Sequence, residues 1–175
     1  QRELQEAAEA HGLSIRIHLA AEIYISPEIE NMIPYPCCTF DGNSRFLLME
    51  FSMNELPYGF ETIIRQITDR GVIPIIAHPE RNNQITRDIS LAQNMIDSGA
   101  VLQVNSGSLL GIFGRKIKKT AYKLIEKDSV YIVASDAHNH RSRPPILSKV
   151  YEHLTKLYGE EDAENLLIYN PEFIL

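Results

Sequence analysis

VIPIIAHPERN, residues 72–82, is an apolar run that stops on a histidine and leads into proline, glutamate, arginine and asparagine. The run VIPIIA is continuous rather than alternating, as expected of a parallel strand buried on both faces. Its start recurs: Val72, Val101 and Val130 open VIPIIA, VLQVN and VYIVAS at 29-residue intervals. That interval matches one strand plus one crossover helix. Its end recurs too. Glu22, Glu50, His78 and Asp136 close IRIHLAAE, FLLME, IPIIAH and IVASD at intervals of 28, 28 and 58 residues, and the skipped step falls on LQVNS, ending at Ser106. Right-handed crossovers put all such strand ends on one side. Polar residues at the ends of successive parallel strands are where β/α barrels carry their chemistry.

The segments between these runs read as helices. Pro57 opens one in which Phe60, Ile63, Ile64 and Ile67 share a face, and Gly71 stops it. Asp88 caps a second that buries Ile89, Ala92, Met95 and Ile96, with Gly99 as its stop. A third carries Ile117, Ala121, Leu124 and Ile125, a fourth starts at Pro144-Pro145 and runs to about Gly159, and a last one covers 160–168. Upstream, residues 1–12 read as a helix, 14–22 as a strand, 26–33 as a short helix capped by Ser26, and 34–44 as a loop. Five β/α units are visible, whereas a closed barrel needs about seven or eight and roughly 250 residues. The chain starts at Gln1 in a helix with no strand before it, so one or two N-terminal units are expected to be missing from a single barrel domain spanning 1–175.

Composition bounds the function. With 44% hydrophobic and 23% charged residues, the 175-residue chain reads as a soluble globular domain. A net charge of −6 argues against a broad nucleic-acid surface, but not against a small anionic substrate held by local cations or metal ions. The two cysteines, Cys37 and Cys38, are adjacent and lack C-x-x-C spacing, which fits reduced thiols and a cytoplasmic location. There is no apolar stretch long enough for a membrane span and no signal peptide.

Glu22, Glu50, His78, Asp136 and His138 together supply three carboxylates and two imidazoles in phase. Mixed histidine and carboxylate ligation suits Mn²⁺, Fe or Zn²⁺. Asp136 and His138 fall on one side of an extended strand end, because side chains alternate with period two. In HPERN, Pro79 is expected to force an extended path, and Arg81 just beyond it is a candidate phosphate clamp with planar bidentate donors. Arg141 and Arg143 are similar candidates, while His18 reads as a core imidazole and His11 and His153 as solvated. NSGSLLGIFGRK (105–116) is not a Walker loop and reads as a plain β/α loop, with KIKK (116–119) on a solvated helix face. No nucleophile elbow or C-x₅-R loop supports a serine or cysteine mechanism.

AAEIYIS around Glu22, LLMEF around Glu50, IIAHPERN, NSGSLLGIFGRK and ASDAHN with RPP together resemble one family, in order and over essentially the whole chain. These are the bacterial PHP-type (polymerase and histidinol phosphatase superfamily) manganese-dependent protein-tyrosine phosphatases of capsule and exopolysaccharide synthesis. The resemblance implies a distorted (β/α)7 TIM-like PHP barrel, here incomplete, with up to three Mn²⁺ ions. It implies metal ligation by Glu22, Glu50, His78, Asp136 and His138, and substrate phosphate held by Arg81 and Arg143. The implied reaction is hydrolysis of phosphotyrosine by a metal-bridged hydroxide, the implied partner a phosphotyrosine protein such as a tyrosine kinase of the polysaccharide machinery, and a homo-oligomer is compatible with it. The family's H-x-H strand end, Asp-Asp-Gly segment and T-P-H strand end are absent from this chain. Two alternatives stand beside this reading: another PHP phosphoesterase acting on small-molecule phosphates, and a catalytically inactive binding module lacking the first ligands.

Overall fold

The computed structural model describes residues 1–175. Five strands form one sheet: β1 (Glu22–Tyr24), β2 (Phe46–Glu50), β3 (Ile73–Ala77), β4 (Val101–Asn105) and β5 (Ile132–Ala134). All neighbours are parallel and the spatial order is the chain order. A doubly wound sheet reverses its order at a switch point. No reversal occurs here, so the strands succeed one another as in a β/α barrel, and the α/β expectation with five units holds.

Helix α1 (Arg2–Ala10) precedes β1. Helix α2 (Phe60–Thr68) joins β2 to β3, α3 (Ser90–Asp97) joins β3 to β4, and α4 (Ser106–Leu110) with α5 (Arg115–Glu126) joins β4 to β5. After β5 come α6 (Ser148–Tyr158), α7 (Glu160–Glu164) and α8 (Asn170–Ile174), the last two linked by a π-helical turn at Asn165–Tyr169. No helix is long and apolar enough to cross a membrane.

Strand alternation divides the core into two faces. Leu47 and Met49, Ile76, Leu102 and Val104, and Val133 join the large cluster that also holds Phe60, Ile64 and Ile67 of α2, Ala92 and Met95 of α3, and Leu124 of α5. Phe46, Ile75 and Ile132 face the opposite way and pack with Ile174 of α8. Phe173 adds an edge-on ring contact to Phe46, with centroids 6.1 Å apart. The same parity sends Glu22, Glu50 and Asn105 to the second face, at the end where the strands finish or begin to leave the sheet. Close packing of α2 beside α3 requires a glycine: Gly99 has φ +100°, and a Cβ there would lie 2.8 Å from the Thr68 side chain.

Local expectations fail in identifiable places. Residues 13–21 form no strand. Leu13, Ile15 and Leu19 are exposed, and the β1–β2 ladder begins only at Glu22. Side chains hold the segment instead: Gln5 Nε2 donates to Ile15 O at 3.0 Å, and Gln5 Oε1 accepts from Ile17 N at 2.9 Å. The predicted helix at 26–33 shrinks to one 3₁₀ turn at Ile29–Met32. The helix expected from Pro144 starts at Ser148, since Pro145 disfavours helical geometry at Pro144 and Ile146 N instead closes a tight turn onto Pro144 O. The last helical stretch continues past 168 to Ile174, where burial against β2 and β3 holds it.

His18 is half-exposed rather than a core residue, and pairs with Asp41. Asp41 also accepts a hydrogen bond from Leu19 N at 2.8 Å. That backbone bond, and then the one from His18, hold the Asp41 carboxyl below its ordinary range. The folded state thus favours the carboxylate, so the stabilisation is present above the unfolded pKa of about 3.9 and is lost as pH falls through the folded value. Asp41→Asn, which tolerates the positive φ at this position, is expected to melt earlier than wild type at pH 6 and to converge with it near pH 2. A gap in melting temperature that does not narrow in acid would contradict this.

Candidate metal centre

Glu22 opens β1 and Glu50 closes β2, and both project from the same sheet face. Their register is diagonal, with Glu22 beside Leu48 and Tyr24 beside Glu50, which keeps the two side chains within reach. His78 breaks the alternation. As the next residue of β3 it would follow Ile76 onto the helix-facing side, but its backbone turns left-handed, with φ 35° and ψ 51°. The turn carries its imidazole to the carboxylates: Nε2 lies 3.2 Å from Glu22 Oε1 and 3.5 Å from Glu50 Oε1. Left-handed geometry is uncommon outside glycine and clusters at functional sites.

One ligand atom from each of Glu22, Glu50 and His78 lies within 4.8 Å of the others. No lysine or arginine pairs with either carboxylate; their only ionic neighbour is the buried His78. Burial weighs against an imidazolium at His78. The hydrogen bond and charge of Glu22 outweigh it, so the pKa lies above its ordinary value although Arg81 opposes. Two carboxylates and an imidazole, converging without a cation, form a donor set that fits a divalent metal.

Asp136 and His138 lie outside that group. Asp136 is almost buried, and its Oδ2 accepts from Asn105 Nδ2 at 2.7 Å, from Arg81 Nη1 at 3.3 Å and from Arg143 Nη2. Its Oδ1 accepts no hydrogen bond and faces His138 Nδ1 at 3.6 Å. His138 is half-exposed, and its Nδ1 approaches Asp136 O at 3.0 Å. Arg141 stays at the surface, with its Nε on the neighbouring His140.

The rest of HPERN has separate tasks. Pro79 does not extend the chain; it occupies the first turn of a 3₁₀ helix, Pro79–Arg81, where its missing N–H costs nothing. Glu80 is fully buried, and its Oε1 accepts from Asn105 N at 3.0 Å and Ser108 Oγ at 2.5 Å. Burial pushes the Glu80 carboxyl above its ordinary range, and those two hydrogen bonds offset this only in part. Arg81 lays its guanidinium over the Phe113 ring, 4.6 Å from the centroid. Asn82 ties the loop to the end of β2, donating to Ser52 O at 2.6 Å and accepting from Gln84 N and Ile85 N.

A sequence profile described as capsular polysaccharide synthesis, CpsB/CapC, matches residues 1–175. The chain belongs to the CpsB/CapC family. CapC of Staphylococcus aureus is 36% identical over 160 residues, covering 91% of this chain and 63% of that protein. The tyrosine-protein phosphatase YwqE of Bacillus subtilis (strain 168) is 34% identical over 154 residues, covering 88% and 60%. The tyrosine-protein phosphatase CpsB of Streptococcus pneumoniae is 33% identical over 178 residues, covering 99% and 73%. A crystallographic study of YwqE and CpsB, described as metal-dependent tyrosine phosphatases, provides a matching fold. The TM-score is 0.86 at 31% identity, over 93% of this chain and 66% of the solved one. This CpsB/CapC chain thus spans less than two thirds of the length of the first two relatives.

Three residues that brace the surroundings of the site through hydrogen bonds escape sequence reasoning: Glu80, Asn82 and Asn105. The local signal was slight: Glu80 and Asn82 flank Arg81 in HPERN, and Asn105 ends VLQVN. NSGSL is also more than a plain loop, since residues 106–110 form the short helix α4, which buries Ser108 on Glu80.

Proposed function

We propose that this chain forms the part of a metal-dependent protein-tyrosine phosphatase that binds the phosphoryl group, acting in capsular or exopolysaccharide synthesis. The observation that carries the proposal is that Arg81, from the same HPERN segment that delivers His78 to Glu22 and Glu50, converges with Arg143 on a single carboxylate oxygen of Asp136. Two guanidiniums spaced to share one anionic oxygen suit a phosphoryl oxygen equally well. Glu22, Glu50 and His78 would hold the first metal ion, for which we propose Mn²⁺. Asp136 and His138 are proposed as further ligands, because the unbonded Oδ1 of Asp136 faces His138 while Oδ2 stays with the arginines. Bound metal supplies Lewis-acid stabilisation of phosphoryl charge and an acidified water.

The chain's own residues orient the substrate. Arg81, fixed by Phe113 below and Asp136 beside it, and Arg143, held within the closed 136–143 loop, bind the phosphoryl oxygens and take up the charge that spreads over them during transfer. A tyrosine phenolate leaves with a pKa near 10, so little proton donation is needed. The proposed partner is a phosphotyrosine-bearing protein of the polysaccharide machinery.

The chain, assayed on a phosphotyrosine peptide over a series of metals, is expected to turn over with Mn²⁺ and to stop on chelation. Metal-independent turnover would overturn the proposal, as would hydrolysis of aliphatic phosphates in preference to phosphotyrosine. Arg81→Lys and Arg143→Lys are each expected to weaken phosphate binding by about 10-fold or more, because an ammonium cannot reproduce the planar fork. Titration of inorganic phosphate into each variant checks this, and unchanged affinity in both would remove the clamp.

A further inference from the structure

A cavity of about 170 Å³ opens beside the arginine pair, between α4 with the turn that follows it and the segment 142–149. Arg143 lines it, and so does Phe113, the ring on which Arg81 rests. Arg143 therefore borders the hollow directly, and Arg81 lies against the Phe113 ring that forms part of its wall. Its remaining apolar wall is Leu110, Ile112 and Ile146, which are 36%, 66% and 54% exposed. Single exposed aliphatic side chains need no explanation, but three around a concavity that Arg143 also lines form a contiguous apolar wall. The backbone keeps the hollow in shape. Gly107 packs against Phe113 so closely that a Cβ there would lie 2.9 Å from Cε2 and displace the ring.

We propose that this cavity is the binding site for the phenyl ring of the substrate, making Phe113, Ile112 and Ile146 the residues that select aryl over alkyl phosphates. The inference rests on the reading of Arg81 and Arg143 as the phosphate clamp. An apolar cavity of about 150 Å³ holds one benzene. The volume here admits a single phenyl ring and little more, and leaves an alkyl ester such as methyl phosphate with most of the wall uncovered. The ring of a phosphotyrosine is joined to phosphorus through one oxygen, so its pocket has to adjoin the clamp. Arg143 does belong to both. A phenyl ring buried here is expected to tighten binding by about 10- to 100-fold over a methyl ester.

The test is calorimetric titration of phenyl phosphate, methyl phosphate and inorganic phosphate into the purified, metal-free chain, so that no ester is hydrolysed during the measurement. The readout is the ratio of affinities, phenyl over methyl. Wild type is expected to show a ratio of about 10 to 100, and the Ile112→Ser, Ile146→Ser double variant a ratio within about 3-fold of unity. Both positions are solvent-exposed, so the variant is expected to fold, and its melting curve verifies that. Saturation transfer between the phenyl protons and the Phe113 ring provides a second measurement that needs no variant. A wild-type ratio near unity, or a ratio that survives the double substitution, would overturn the aryl pocket while leaving the clamp standing. Failure to bind any of the three phosphates would defeat both the clamp and the pocket.

Discussion

His78→Ala is expected to weaken Mn²⁺ binding by more than about 100-fold. Loss of an outer partner of a metal ligand already costs 10- to 100-fold, and this substitution removes one of the three proposed direct ligands. It also leaves Glu22 and Glu50 facing each other without the imidazole that lies 3.2 Å and 3.5 Å from them. Two like charges then converge with nothing between them, so the carboxylates are expected to separate rather than keep a two-ligand site. Calorimetric titration of Mn²⁺ checks this, with circular dichroism to verify the fold. Affinity within about 3-fold of wild type would place the metal elsewhere. Phosphotyrosine turnover is expected to fall with the metal, whereas phosphate binding by Arg81 and Arg143 is expected to decline less, because their contacts run to Asp136 and Phe113.

Glu80→Ala is expected to destabilise the fold by about 3 kcal/mol, lowering the melting temperature by about 6–12 °C. The carboxyl is fully buried, and its Oε1 is the acceptor for both Asn105 N and Ser108 Oγ. Truncation strands two buried donors, at about 1–3 kcal/mol each, and opens a void. The damage does not stop at stability. Asn105 is also the residue whose side chain donates to Asp136 at 2.7 Å, so loosening its backbone loosens the oxygen on which the two arginines meet. Phosphate affinity is therefore expected to fall as well. Glu80→Gln keeps an acceptor at Oε1 and is expected to cost less than half as much, because the Oε2 position makes no hydrogen bond to begin with. Urea unfolding of both variants checks the ranking. An alanine variant within 1 kcal/mol of wild type would show that Glu80 does not brace the site.

The strands from β2 onward were legible because each is a continuous apolar run with a partner on both sides or a helix against it. The segment 14–21 looked equally strand-like, and failed because pairing is not a property of one segment. The β1–β2 ladder takes up the chain only at Glu22, and the Gln5 and Asp41 side chains hold the backbone of Ile15, Ile17 and Leu19 instead. Pro79 illustrates the opposite error. A local rule predicted extended backbone before it, and burial of Glu80, Asn82 and His78 overrode that rule with a left-handed turn and a 3₁₀ helix. Of the site, Glu22, Glu50 and His78 were readable from phase alone. Glu80, Asn82 and Asn105 were not, since their partners lie 25 to 31 residues away on other elements.

The sequence by itself determined the parallel β/α alternation, the side of the sheet on which polar strand ends gather, and the residue types available there. These follow from covalent geometry: a strand alternates with period two and a crossover helix has a limited length. Only the tertiary structure decided how the five phased residues divide. Register between β1 and β2 and the left-handed turn at His78 bring Glu22, Glu50 and His78 together. The fold of the 136–143 loop instead delivers Asp136 to Arg81, Arg143 and Asn105. Phase along the chain places residues at one end of a sheet, but their grouping there depends on side-chain contacts a few ångströms long, set by strand register and loop dihedrals that the periodicity does not contain.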